Sequence, residues 1–166
     1  MPSAARSRRL PEPFEFFIDR SLGQYTVAQA LRAHCLPREI VHVHDDHFPD
    51  ATRDEDWLPE VGQRGWVVLT KDARIRSNEL ERGAVLSSGV ALFELARGDL
   101  TGEQMGELLC AALDRVRTVL RRYPVPIVAS VSLRAVTVRI ADGIELRAPK
   151  EYRQASKAPK PVPRRG

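Results

Sequence analysis

Five short apolar runs, separated by stretches of helical spacing, constrain this chain more than any other feature: residues 14–18 (FEFFI), 40–44 (IVHVH), 66–69 (WVVL), 89–93 (GVALF) and 127–133 (IVASVSL). The WVVL run is apolar at every position, which suits a strand covered on both faces, as parallel strands are when helices lie on either side of the sheet. The intervening segments supply the helices. Val27, Ala30, Leu31 and His34 recur at helical spacing before Pro37, and Thr52 followed by Glu55 is a capping-box pattern leading into a Trp57, Leu58, Val61 stripe that ends at Gly62 and Gly65. A further helix is expected over residues 78–84. A long one is expected over 101–122, capped by Thr101 and Glu103, lined by Met105, Leu108, Leu109, Leu113, Val116 and Leu120, and stopped by Pro124. Residues 136–140 read as a last strand at a sheet edge. Strands alternating with helices predict an α/β fold with a mainly parallel sheet, whose ligand sites form at the carboxyl ends of the strands.

At 166 residues, with 43% apolar and 29% charged residues, the chain is long enough for one domain with a substantial core, and wholesale disorder is excluded. Cys35 and Cys110 stand far apart without a CxxC pair, which excludes a disulfide-dense scaffold and a cysteine-based zinc module and points to a reducing cytoplasm. No apolar run reaches the roughly 18 residues a membrane-spanning helix needs. The formal charge of +4 resides at the ends. Arg6, Arg8 and Arg9 outweigh Glu12 at the start, and Lys150, Arg153, Lys157, Lys160, Arg164 and Arg165 outweigh Glu151 at the end, so the residues between carry a net negative charge. The expected organisation is a flexible basic segment over 1–13, a folded domain over 14–147 and a basic, Pro-rich disordered tail over 148–166.

The strand-end rule selects carboxylates. Asp19 follows the first strand directly, Asp72 follows the third after Thr70 and Lys71, and Asp54 opens the helix between. A carboxylate beside an apolar strand end is costly unless it is paired or binds a cation. Three of them converging would suit Mg²⁺ or Mn²⁺, hard ions that take oxygen ligands and keep waters for a phosphate substrate. His42, His44 and His47 lie close together among Asp45, Asp46 and Asp50; the His-x-His spacing is zinc-like, but the segment reads more simply as a loop at the site. Trp57 and Trp66 fall on apolar faces and read as core.

The segments FFIDRSLG, HDDHFPDATRDEDWLPEVGQRGWVVLTKDARIR and NELER, in that order, resemble the PIN-like ribonuclease superfamily, most closely the branch grouped with VapC45-type toxins, over roughly residues 14–140. The resemblance implies a three-layer α/β/α sandwich (PIN-like) with a mainly parallel central sheet. It implies a Mg²⁺- or Mn²⁺-dependent endoribonuclease that hydrolyses RNA phosphodiester bonds, working as the toxin of a bacterial type II toxin–antitoxin system. It carries metal binding and catalysis to Asp19, Asp54 and Asp72, with Asp46 and Asp56 as less favoured ligands. Arg20, Lys71, Arg74 and His47 are then placed to contact the substrate. RNA and a cognate antitoxin are the implied partners, and homodimerisation is left open. Two departures stand out: Arg74 occupies a position where many PIN domains carry an acid, and no clean match exists for their helical Glu. They leave open the alternative of a catalytically inactive PIN-like domain acting as an RNA-binding or protein-interaction module.

Overall fold

The computed structural model describes residues 8–23, 25–71, 79–96 and 99–154. Seven strands form one sheet: β1 (Glu15–Ile18), β2 (Ile40–Val43), β3 (Val67–Thr70), β4 (Ala91–Leu95), β5 (Ile127–Val131), β6 (Ala135–Ala141) and β7 (Ile144–Arg153). Their order across the sheet is β2-β1-β3-β4-β5-β6-β7; β2 to β5 run parallel through β1, and β6 and β7 are antiparallel additions. The helices are α1 (Tyr25–Arg32), the single turn α2 (His44–His47), α3 (Asp54–Arg64), α4 (Glu79–Ser88) and α5 (Gly102–Arg122), with a 3₁₀ turn at Arg20–Leu22. This is the expected three-layer α/β/α sandwich.

Strand pleating explains the two cores. On one face Phe16, Ile18, Leu69 and Phe93 pack with Val27 and Leu31 of α1 and with Leu109, Leu113 and Val116 of α5. On the other, Phe17, Val68, Leu92, Val128 and Ile140 pack with Trp57, Leu58 and Val61 of α3 and Val85 of α4. Trp57 and Trp66 are buried there, as their apolar settings predict. α5 opens with a reciprocal cap: Thr101 Oγ1 accepts from the Gln104 N–H, and Gln104 Oε1 accepts from the Thr101 N–H. The partner is Gln104 and not Glu103, because only the third helical position reaches back to the cap.

Four expectations are corrected. The Thr52/Glu55 box does not form; α3 begins at Asp54 after Arg53, with no side-chain cap, and its first turn instead gathers Asp54, Glu55 and Asp56 at the positive end of the helix dipole. β4 runs on to Leu95, taking in Glu94 beyond the apolar run. β6 is interior, since β7 pairs along its far side. β7 also runs to Arg153, past residue 148 where the tail was expected to begin, because Tyr152 packs on the core and its hydroxyl meets that of Tyr123 at 2.8 Å.

Candidate active site

The sheet order places a crevice before any side chain is considered. β1 connects outward to β2 on one side, and the chain then returns to lay β3 on the other, so the carboxyl ends of β1 and β3 flank a topological switch point. Asp19 and Thr70 are the residues at those ends. The Asp19 N–H donates to Leu69 C=O at 3.0 Å, extending the β1/β3 ladder one step and fixing the Asp19 backbone. Asp19 is only 8% exposed. Its Oδ2 accepts two hydroxyl hydrogen bonds, from Thr70 at 2.8 Å and Ser21 at 2.9 Å. The Ser21 hydroxyl in turn accepts the Lys71 N–H at 3.1 Å. The carboxylate is thereby clamped on one oxygen, and no donor among the described residues engages Oδ1.

Asp54 lies across the crevice at the first turn of α3, held by the Trp57 indole N–H, which donates to its Oδ1 at 3.1 Å. Asp19, Asp54 and Glu81 of α4 line one cavity of about 20 Å³, room for about one water molecule or a single ion, floored by Val68 and Leu92. An all-oxygen donor set over an apolar floor fits a hard divalent cation. Among the described residues no three acidic, His or Cys side chains already stand close enough to enclose a metal ion. Asp72 and Arg74, expected at the site, lie outside the described residues.

The other expected residues are placed as follows. The Lys71 backbone is tied to Ser21 and its side chain is half-buried. Arg20 is occupied by acids: its guanidinium meets Asp50 Oδ1 at 2.9 Å and Asp45 Oδ1 at 3.4 Å, pinning the loop after β2. Asp46 accepts from the Tyr25 hydroxyl at 3.1 Å and Asp56 is exposed; neither lines the cavity. His47 packs against Trp66, and its Nε2 lies 3.1 Å from His42 Nδ1, while His42 Nε2 meets Glu15 at 3.0 Å. Both His42 nitrogens are thus engaged, and the ring stacks on Trp66 at 3.7 Å, which makes a packed polar cluster of the zinc-like spacing. Burial first, then His42 and Arg64, push the His47 pKa down.

Three acids escaped the sequence reading, the first being Glu55, which lines the cavity beside Asp54 in the first turn of α3. Glu81 sits one helical turn before Val85, so the apolar stripe of α4 carries it to the cavity; its signal was its place at i−4 from a core valine. Glu94 is buried at the end of β4, in register with Thr70 on one side and Ser130 on the other. Asp19, Thr70, Glu94 and Ser130 therefore form a polar row along the carboxyl edge of one sheet face. An acid at the end of the run ALFEL was the available clue.

Residues 14–97, which carry β1 to β4 and the acidic cavity, match the PIN-like domain family. The chain is also 33% identical over 116 residues, 69% of its length and 83% of the relative's, to a Mycobacterium tuberculosis protein named "Putative ribonuclease VapC45". No solved structure matches it. The sandwich, the strand-end aspartate and the family match agree, and the chain belongs to the PIN-like domain family.

Proposed function

We propose that this protein is an endoribonuclease that hydrolyses RNA phosphodiester bonds with Mg²⁺ or Mn²⁺, and that it acts in the cytoplasm as the toxin of a toxin–antitoxin pair. The observation that carries this reading is Asp19: a buried carboxylate at the switch point, clamped on Oδ2 by two hydroxyls and lining a cavity together with Asp54 and Glu81. The ribonuclease name of the M. tuberculosis relative supports the same substrate class. Among the described residues no helix is long and apolar enough to cross a membrane.

The chain's own contribution is orientation and charge. Thr70 and Ser21 hold Asp19 in one rotamer, Trp57 holds Asp54, and the Ser21 bond to the Lys71 N–H fixes the backbone at the residue preceding Asp72. Asp19, Asp54 and Asp72, with Glu81, would hold the cation. When bound, a divalent ion supplies activation of water and stabilisation of charge on the phosphodiester. Leu58, Val68 and Leu92 keep bulk water from the carboxylates' inner side.

The test is RNA cleavage by antitoxin-free protein with Mn²⁺, compared with Asp19→Asn, Asp54→Asn and Asp72→Asn. Cleavage by the parent and its loss in the Asp19 and Asp72 variants are expected. Equal cleavage by all four proteins overturns the assignment. RNA binding without any metal-dependent cleavage would favour the inactive binding module, which Arg74 at an often acidic position also suits.

A further inference from the structure

A second cleft lies beside the acidic one on the same face of the sheet. Val68, Leu92 and Val128 are cross-strand neighbours on β3, β4 and β5; the first two floor the acidic cavity, and Val128 floors a cavity of about 190 Å³ above β5 to β7. The first turns of α4 divide the two: Glu81 lines the acidic cavity, and Arg82, about 100° further round the helix, lines the other. Arg139 of β6 lines the same cavity as Arg82.

The strand is irregular at Arg139. β5 pairs Val128 with Ile140 and the next residue, Ala129, with Val138, so Arg139 is the extra residue of a bulge. Val138 belongs to the opposite core, so alternation sets Arg139 on the α3/α4 side, and the bulge keeps Ile140 beside it on that same side. β7 departs at the same level: Val138 pairs with Lys150 and Ile140 with Glu145, and residues 146–149 pass outside the ladder, with Leu146 and Pro149 forming the cleft wall. The Arg139 Nε donates to Ser130 Oγ at 2.8 Å, which anchors the guanidinium in the cleft that Arg139 lines. Among the described residues no acid pairs with Arg82 or Arg139. Glu145 stands exposed on the rim, so the cleft keeps one net positive charge. Partly buried arginines without a counter-ion are poised for an anion, and the planar fork of Arg suits a phosphate.

We propose that the Arg82/Arg139 cleft binds the RNA phosphate backbone to one side of the scissile bond, so that the strand crosses the first turns of α4. This rests on the ribonuclease reading above. From Asp19 at β1 to Ser130 at β5 is three strand spacings, about 14 Å, which puts the cleft a few nucleotides from the acidic site.

The experiment measures affinity of a labelled single-stranded RNA for the full chain in the Asp19→Asn background, as a function of salt, together with KM for cleavage with Asp19 intact, in the parent and in each arginine variant. Arg82→Gln and Arg139→Gln together should weaken binding at least tenfold and flatten the slope of log affinity against log salt by about 0.7 for each phosphate no longer neutralised. Arg82→Gln alone should show part of this without disturbing the Ser130 anchor, and Arg121→Gln, across the sheet on α5, should show none. Unchanged affinity, slope and KM in the double variant, with the parent still cutting RNA, overturns the cleft assignment alone. A parent that neither binds nor cuts RNA overturns the ribonuclease reading itself. Binding of an oligo-glutamate peptide that the double variant loses, with RNA affinity unchanged, would give the cleft to an acidic protein partner and overturn the proposal.

Discussion

Thr70 shows how much of the site depends on one hydroxyl. It is buried, and its Oγ1 supplies one of the two hydrogen bonds on Asp19 Oδ2. Thr70→Val keeps the shape and removes the donor. A hydrogen bond to a charged group is worth about 1.5–3 kcal/mol, so Mn²⁺-dependent RNA cleavage should fall by about 10- to 150-fold. Thr70→Ser, which retains the donor, should lose far less; a Thr70→Val protein cutting at the parent rate would show that the clamp has no part in cleavage. Residues such as Asp19 were legible because an acid directly after FEFFI has nowhere apolar to go. Glu81 was not, because its approach to the cavity depends on how α4 lies against the sheet. The cationic expectation for Arg20 was met by neighbours that no spacing rule names, Asp45 and Asp50.

Elements hold the site through close helix packing. α3 supplies Asp54 and α4 supplies Glu81, and the two helices cross where Gly62 meets Ser88. A Cβ on Gly62 would lie 1.9 Å from the Ser88 carbonyl oxygen, so the helices must separate to admit it. Overpacking of this kind costs about 1–3 kcal/mol or more, and Gly62→Ala should lower the melting temperature by roughly 2–12 °C and reduce cleavage with it. Gly83→Ala on α4 meets nothing within 4 Å and should hold or raise the melting temperature. Thermal denaturation of both variants checks the pair; equal losses would show that helix propensity and not the crossing decides. The helices themselves were readable from their stripes, but this crossing was not, since Gly62 and Ser88 are distant in sequence.

For the whole molecule, the separation of charge from fold makes a prediction. Residues 155–166 hold Lys157, Lys160, Arg164 and Arg165 and no acid, so deleting them brings the formal charge from +4 to about zero. That deletion should weaken RNA binding at low salt and flatten its salt dependence while leaving the melting temperature nearly unchanged. Deletion from residue 144 removes β7, uncovers β6 and breaks the Tyr123–Tyr152 hydrogen bond, and should lower the melting temperature sharply. Parallel melting and binding curves for the two truncations check this. An equally large stability loss in the shorter deletion would mean that the tail belongs to the fold.

The sequence by itself determined the strand–helix alternation, the two-faced burial of the central strands and the aspartates at their ends, because apolar periodicity and strand-end carboxylates are local properties. Only the tertiary structure decided that β7 forms the edge, that Glu81 joins Asp19 and Asp54, and that Arg139 and Arg82 line one cleft beside a bulge. Those outcomes depend on register and on which segments meet across the sheet, and register is a relation between strands that no single run of residues contains.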